Sequence, residues 1–186
     1  MKLWLLRHAR PLVDSGVCYG ALDVAADGAA TLDAARHAAQ TLPAGLVVWF
    51  SPLQRCEHLA HVLCGLRPDL AMKPEPRLRE MDFGCWEGVP WADIPRAALD
   101  AWTADFAHHA FGGVESTQAV MARVDDALAD FRATLGGAGQ SQGLWISHAG
   151  VVRCVRLLAA GVRQLQTASQ WPQERLAQGE LTTLSF

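Results

Sequence analysis

Short apolar runs separated by helix-like segments constrain the fold of this chain more than any other feature. Three runs are almost wholly apolar and end in polar residues, at positions 2–6, 46–50 and 144–146. Such runs are typical of buried strands. Weaker signals predict a short strand near 70–72 and a final edge strand over 180–186. All of them are far too short to cross a bilayer.

Helical patterns lie between these runs. An Ala-rich segment at about 27–42 has apolar residues at helical spacing, and helices are also predicted at about 116–135 and 151–158. Ser51 and Pro52 suit the N-cap and first position of a further helix, which would carry Arg55 in its first turn and end near residue 64. Strands alternating with helices predict an α/β fold with a largely parallel sheet.

One segment interrupts the alternation. The residues at about 78–115 are Trp-rich and Pro-interrupted, which predicts an excursion of short helices rather than sheet. With 186 residues, of which 51% are hydrophobic, the chain is long enough to bury one substantial core. We therefore expect a single domain over 1–186.

Charge and cysteine content exclude several classes of function. A formal net charge of −3 without a polybasic block gives no reason to expect nucleic acid or a membrane as a partner. The five cysteines lack C-x-x-C spacing, and no Cys/His cluster has the spacing of a metal site. Arg7, His8 and Arg10 interrupt the first apolar run, so no signal-peptide pattern is present. We expect a cytoplasmic protein with reduced thiols, a monomer or homodimer, that needs no metal or cofactor.

Two histidines, two arginines and one glutamate follow strand-like segments. In α/β folds ligands bind at the carboxyl ends of strands, where Arg7, His8, Arg55 and His148 fall. Glu80 is the fifth candidate residue. Arginine clamps two phosphate oxygens, a neutral imidazole can attack phosphorus, and a carboxylic acid can protonate the leaving alcohol. The set predicts metal-free cleavage of a small-molecule phosphate ester. The alternative is a set of salt-bridged core groups.

Four motifs together resemble the histidine phosphatase (phosphoglycerate mutase-like) superfamily over about residues 3–158. They are Leu6-Arg7-His8, Ser51-Pro52-Leu53-Gln54-Arg55, Leu78-Arg79-Glu80 with Phe83-Gly84, and Ser147-His148-Ala149-Gly150. The resemblance implies a three-layer α/β/α sandwich with His8 as the phosphorylated nucleophile and Glu80 as proton donor. It also implies a phosphate pocket of Arg7, Arg55 and His148. The commonest first motif has Gly and Glu where this chain has Ala9 and Arg10.

Finer motifs resemble the α-ribazole phosphatases of cobalamin biosynthesis. They include Gly16-Val17-Cys18-Tyr19-Gly20, Met81–Gly88, and Trp91 with the segment 93–96. The family's Gly-Gly-Glu-Ser turn has Val114 as its second residue here. The resemblance implies α-ribazole 5′-phosphate as substrate.

The predicted substrate-binding residues are Arg7, Tyr19, Gly20, Arg55, His148 and Ala149. Trp86 and Trp91 could stack on a flat substrate or pack in the core of the excursion. Tyr19 could be a substrate wall or a structural anchor. A broad-specificity phosphatase, a mutase-like enzyme and a non-catalytic phospho-ligand binding module remain alternatives.

Overall fold

A single five-stranded sheet forms the centre of the computed structural model, which describes all residues from 1 to 186. The strands are β1 (Lys2–Arg7), β2 (Val47–Phe50), β3 (Ala71–Pro74), β4 (Gln142–Ser147) and β5 (Leu181–Ser185). Their order across the sheet is β3-β2-β4-β1-β5. All neighbouring pairs are parallel except β1 and β5, so β5 is an antiparallel edge strand. This confirms the predicted largely parallel sheet.

Helices cover both faces of the sheet. They are α1 (Gly28–Thr41), α2 (Gln54–Leu66), α3 (Arg96–Ala104), α4 (Thr117–Gly137) and α5 (Ala149–Ala159). Side chains alternate between faces along a strand: Leu5 and Trp145 pack with α4 and α5, whereas Leu6 and Ile146 pack with α1 and α2. Burial on both faces explains why the strand sequences are continuously apolar rather than alternating.

The start of α2 differs from the sequence-based expectation. The helix begins at Gln54, two residues later than predicted, and its N-cap residue Leu53 makes no side-chain cap. Ser51 is instead fully buried, and its hydroxyl lies 2.8 Å from the Nε2 atom of His148. The prediction of Ser51 as the N-cap was therefore wrong, because the helix begins two residues later and the Ser51 hydroxyl contacts His148 and the Leu53 N–H instead. Helix α5 shows the opposite change and begins at Ala149, two residues earlier than predicted.

The excursion contains three single 3₁₀ turns, at Pro76–Leu78, Gly84–Trp86 and Trp91–Asp93, followed by α3. Its aromatic side chains surround Phe111, which is fully buried. The rings of Trp86 and Trp91 stack on this phenylalanine with centroids 6.0 Å away, and Trp102 stacks at 4.4 Å. Both tryptophans discussed above therefore have a packing role.

Candidate active site

Strands β1 and β4 bring the two candidate histidines side by side. Arg7 and Ser147 are the last residues of these adjacent strands and are partners in register. His8 and His148 follow them directly, with ring centroids 5.1 Å apart. Both side chains are buried, with residue exposures of 2% and 0%. Two residues 140 positions apart in sequence thus form one buried pair at the carboxyl edge of the sheet.

The His8 imidazole is held as one tautomer. Its Nδ1 lies 2.7 Å from the carbonyl oxygen of Ala9, and a carbonyl can only accept, so Nδ1 bears the proton. The Nε2 lone pair is then free. Burial, with a contribution from the nearby Arg55 and Arg7 guanidinium groups, lowers the pKa of His8 to about 3. The ring is therefore neutral at neutral pH, as a nitrogen nucleophile must be.

His148 has the other tautomer. Arginine can only donate, so the 3.3 Å contact from Arg55 Nε makes the His148 Nδ1 an acceptor. Its Nε2–H then donates to the Ser51 hydroxyl at 2.8 Å. Burial and the neighbouring Arg55 charge hold the pKa of His148 well below its ordinary value. Ser51 was missed as a site residue by the sequence reasoning, because its position before Pro52 also suits an N-cap.

Arg55 is a fully buried cation on the first turn of α2. It donates to the carbonyl oxygens of Gly20 at 2.5 Å and Leu22 at 2.8 Å. The Tyr19 ring lies 5.6 Å from its guanidinium carbon, a cation–π distance. Two of the five guanidinium N–H groups remain for an incoming anion. Tyr19 and Gly20, both predicted to bind substrate, thus lie directly beside Arg55.

Arg7 also has donors to spare. One terminal nitrogen donates to the carbonyl oxygen of Leu176 at 2.7 Å, while its Nε is buried without a partner. A buried donor left unsatisfied costs about 1–3 kcal/mol, so a ligand acceptor is favoured here. Neither Arg7 nor Arg55 forms a salt bridge to a carboxylate. The pocket therefore holds uncompensated positive charge suited to a phosphate.

Glu80 lies at the border of this pocket, against the start of α5. One carboxylate oxygen accepts from the backbone N–H of Gly150 at 2.9 Å and the other from that of Met81 at 3.1 Å. A Cβ atom at position 150 would overlap the Glu80 Oε1 atom. The sequence Ala149-Gly150 therefore lets the carboxylate approach the helix backbone two residues after His148.

A cavity of about 320 Å³ opens beside Glu80, Ala149 and Gly150. Its other walls are largely aromatic and are formed by Phe83, Trp91, Trp102, Phe106 and Trp171. Arg153 and Arg175 also line it, and the Arg153 Nε is buried without a partner. Neither arginine was singled out from the sequence, because a lone arginine on a helix or loop gives no signal.

No group of three or more His, Cys, Asp or Glu side chains is arranged so that it could hold a metal ion. None of the helices has the length and apolar character needed to cross a membrane.

Comparisons with known proteins identify the fold and the family of this chain. No curated protein sequence matches the chain. A mycobacterial glucosyl-3-phosphoglycerate phosphatase structure superposes with a TM-score of 0.77 at 25% identity, covering 99% of this chain and 89% of that one. The α-ribazole phosphatase from Shigella flexneri gives 0.81 at 24% identity, covering 100% and 90%.

The sequence motifs and the fold point to the same family. The predicted phosphoglycerate mutase-like α/β architecture is confirmed by these structural neighbours. The model of the histidine phosphatase superfamily (branch 1) matches residues 3–186, which is nearly the whole chain. The protein belongs to the histidine phosphatase superfamily.

Proposed function

We propose that this protein is a metal-independent phosphomonoesterase that works through a phosphohistidine intermediate. Membership of the superfamily and its phosphatase neighbours support a phosphatase hydrolase. The observation that carries the mechanism is the free Nε2 lone pair of neutral His8, beside two arginines that lack carboxylate partners. This combination provides both a nucleophile and a binding site for its dianionic target.

The first step joins His8 to phosphorus. Nε2 attacks, the bond from phosphorus to the ester oxygen breaks, and Glu80 gives its proton to the departing alcohol. In the second step water attacks phosphorus and loses a proton to Glu80, which releases phosphate and restores the imidazole. Arg7 and Arg55 hold the phosphoryl oxygens throughout, because positioning and charge stabilisation dominate this chemistry. They supply the positive charge that metal ions provide in other phosphatases.

The first substrate candidate is α-ribazole 5′-phosphate, hydrolysed to α-ribazole for cobalamin synthesis in the cytoplasm. The aromatic cavity beside Glu80 supports it, because the leaving alcohol must lie next to the proton donor and a flat base would stack there. A structural neighbour is itself an α-ribazole phosphatase. The sequence motifs around Tyr19 and Trp86, which resemble those of α-ribazole phosphatases, also support this substrate.

A second candidate is a phosphate ester whose leaving group bears a carboxylate, such as glucosyl-3-phosphoglycerate. Arg153 and Arg175 favour it, since both line the cavity that would receive the leaving group. A guanidinium group pairs well with a carboxylate. The structural neighbour from mycobacteria acts on this ester by its name.

Phosphate release from a panel of esters tests the proposal. The panel contains α-ribazole 5′-phosphate, glucosyl-3-phosphoglycerate, 3-phosphoglycerate and nitrophenyl phosphate, all assayed with EDTA present and with His8→Ala as background. We expect the highest kcat/KM for α-ribazole 5′-phosphate. A preference for carboxylate esters that Arg153→Gln removes would favour the second candidate. Phosphate binding without hydrolysis of any ester would indicate a binding module instead.

A further inference from the structure

The Glu87 carboxylate accepts four backbone hydrogen bonds, and no step proposed above uses it. One oxygen accepts from the N–H groups of Gly20 at 2.8 Å and Leu22 at 3.1 Å. The other accepts from those of Ala21 at 2.8 Å and Phe83 at 2.9 Å. No Lys or Arg side chain forms a salt bridge with it. Three consecutive N–H groups thus converge on one unpaired carboxylate.

The opposite side of the same segment binds Arg55. Its guanidinium group donates to the carbonyl oxygens of Gly20 and Leu22. The Gly20 carbonyl and the Ala21 N–H belong to one peptide group. That peptide therefore lies between the two charges, with its N–H toward Glu87 and its oxygen toward Arg55.

This arrangement compensates a charge that has no ion pair. Arg55 is 0% exposed, and a buried charge is costly unless it is well hydrogen-bonded. A carboxylate at the N–H end of a peptide group holds the oxygen end in place and polarises it toward the guanidinium. Glu87 thus acts on Arg55 through a peptide rather than by contact.

Close packing fixes the same segment against the excursion. A Cβ at Gly20 would overlap the carbonyl oxygen of Met81, so only glycine allows this approach. Glu87 also binds the N–H of Phe83, three residues after Glu80. One carboxylate therefore links the segment that holds Arg55 to the segment that carries the proposed proton donor.

We propose that Glu87 is a positioning residue that fixes Arg55 in the phosphate pocket through residues 20–22. The proposal rests on the proposed function in taking Arg55 to bind the phosphoryl group. If the proposal is right, loss of the Glu87 carboxylate weakens anion binding because Arg55 is no longer held in place. This loss of affinity is larger than general destabilisation of the protein would cause.

Glu87→Gln is the direct test, because glutamine keeps the shape but only one of its two end atoms can accept a hydrogen bond. We expect the Kd for inorganic phosphate to rise at least about tenfold, and the KM for nitrophenyl phosphate to rise more than kcat falls. Glu87→Asp, which keeps the carboxylate, should recover part of the affinity. Asp33→Asn makes the same charge change on an exposed side chain of α1 and should leave the Kd unchanged.

A double-mutant cycle with Arg55→Lys separates positioning from plain destabilisation. If Glu87 acts through Arg55, Glu87→Gln should weaken phosphate binding less than about threefold in the Arg55→Lys background. The inference would be overturned if Glu87→Gln weakened phosphate binding equally with Arg55 and with Arg55→Lys. It would also be overturned if Glu87→Gln left the Kd unchanged in the protein that retains Arg55. Thermal unfolding of each variant identifies any that does not fold, and Glu87→Asp then replaces Glu87→Gln in the cycle.

The two proposals fail differently. If the wild-type protein binds phosphate but hydrolyses no ester, the proposed function is wrong. The double-mutant cycle, which measures only the Kd for phosphate, still decides the role of Glu87. If the wild-type protein hydrolyses esters and Glu87→Gln binds phosphate normally, only the role of Glu87 is wrong.

Discussion

The two buried histidines hold opposite tautomers although they lie side by side. His8 has its proton on Nδ1 because Ala9 offers a carbonyl oxygen, whereas His148 has its proton on Nε2 because Arg55 donates to its Nδ1. We propose different tasks for the two histidines because of this difference. The His8 Nε2 is free to attack, while both His148 nitrogens are occupied within the protein.

The lowered pKa of His8 predicts how stability depends on pH. Its pKa is about 3 when folded and 6.5 ordinarily, so between these values the unfolded chain binds a proton that the folded chain does not. The free energy of unfolding should therefore fall as pH falls through that window. Between pH 7 and 5 the loss due to His8 is about 2 kcal/mol, and His148 adds to it in the same direction.

Urea denaturation at pH 7, 6 and 5 in phosphate-free buffer measures this dependence. His8→Gln should lose less stability over the range than the wild-type protein does. His37→Gln, at an exposed position on α1, should behave like the wild type. An undiminished pH dependence in His8→Gln would show that the buried ring is not the cause.

Glu80 is predicted to protonate the leaving alcohol. Glu80→Gln should slow phosphorylation of His8 by alkyl phosphates roughly 10²-fold or more, the usual size of acid–base catalysis. The rate of His8 phosphorylation by nitrophenyl phosphate should fall much less, because its leaving group needs little protonation. Single-turnover measurement isolates this step from dephosphorylation, in which we propose that Glu80 also activates water. Equal losses for both esters would assign Glu80 to organising the pocket instead.

At the scale of elements, the first turn of α5 connects the proposed phosphate pocket to Glu80, the proposed proton donor. His148 is its N-cap residue, Ala149 lines the leaving-group cavity, and the Gly150 N–H binds Glu80. The Gly150 N–H therefore fixes the position of the Glu80 carboxyl group at the start of the helix. Sequence periodicity could not reveal this, because it showed where the helix lies but not which side chain approaches its end.

Gly150→Ala tests that contact without changing any charged residue. The added methyl group would overlap the Glu80 carboxylate, so either Glu80 or the helix must move. We expect kcat for alkyl phosphates to fall by at least about tenfold, approaching the effect of Glu80→Gln. Gly65→Ala is the matched control, since it adds a methyl group to α2 with no atom within 4 Å. Full activity in Gly150→Ala would mean that Glu80 need not bind the helix end.

At the scale of the molecule, the sheet order gathers distant residues at one edge. The alternation of apolar runs and helical segments was sufficient to predict the parallel sheet and the placement of Arg7, His8, Arg55 and His148 at strand ends. Contacts that join loops were not predictable. The Ser51 hydroxyl contacts His148 after the neighbouring strand, and the Glu87 carboxylate binds the loop of residues 20–22. Arg153 and Arg175 line a cavity whose other walls come largely from residues 80–106. No periodicity in the sequence describes such contacts.

The proposed mechanism depends most on His8 as the covalent nucleophile. Rapid quenching of turnover with an ester radiolabelled at phosphorus tests this directly, with the protein separated under alkaline conditions that preserve phosphohistidine. We predict acid-labile label on the wild-type protein, located at His8, and none on His8→Ala, while His37→Gln is labelled like the wild type. Label that remains covalently attached in His8→Ala would contradict the account.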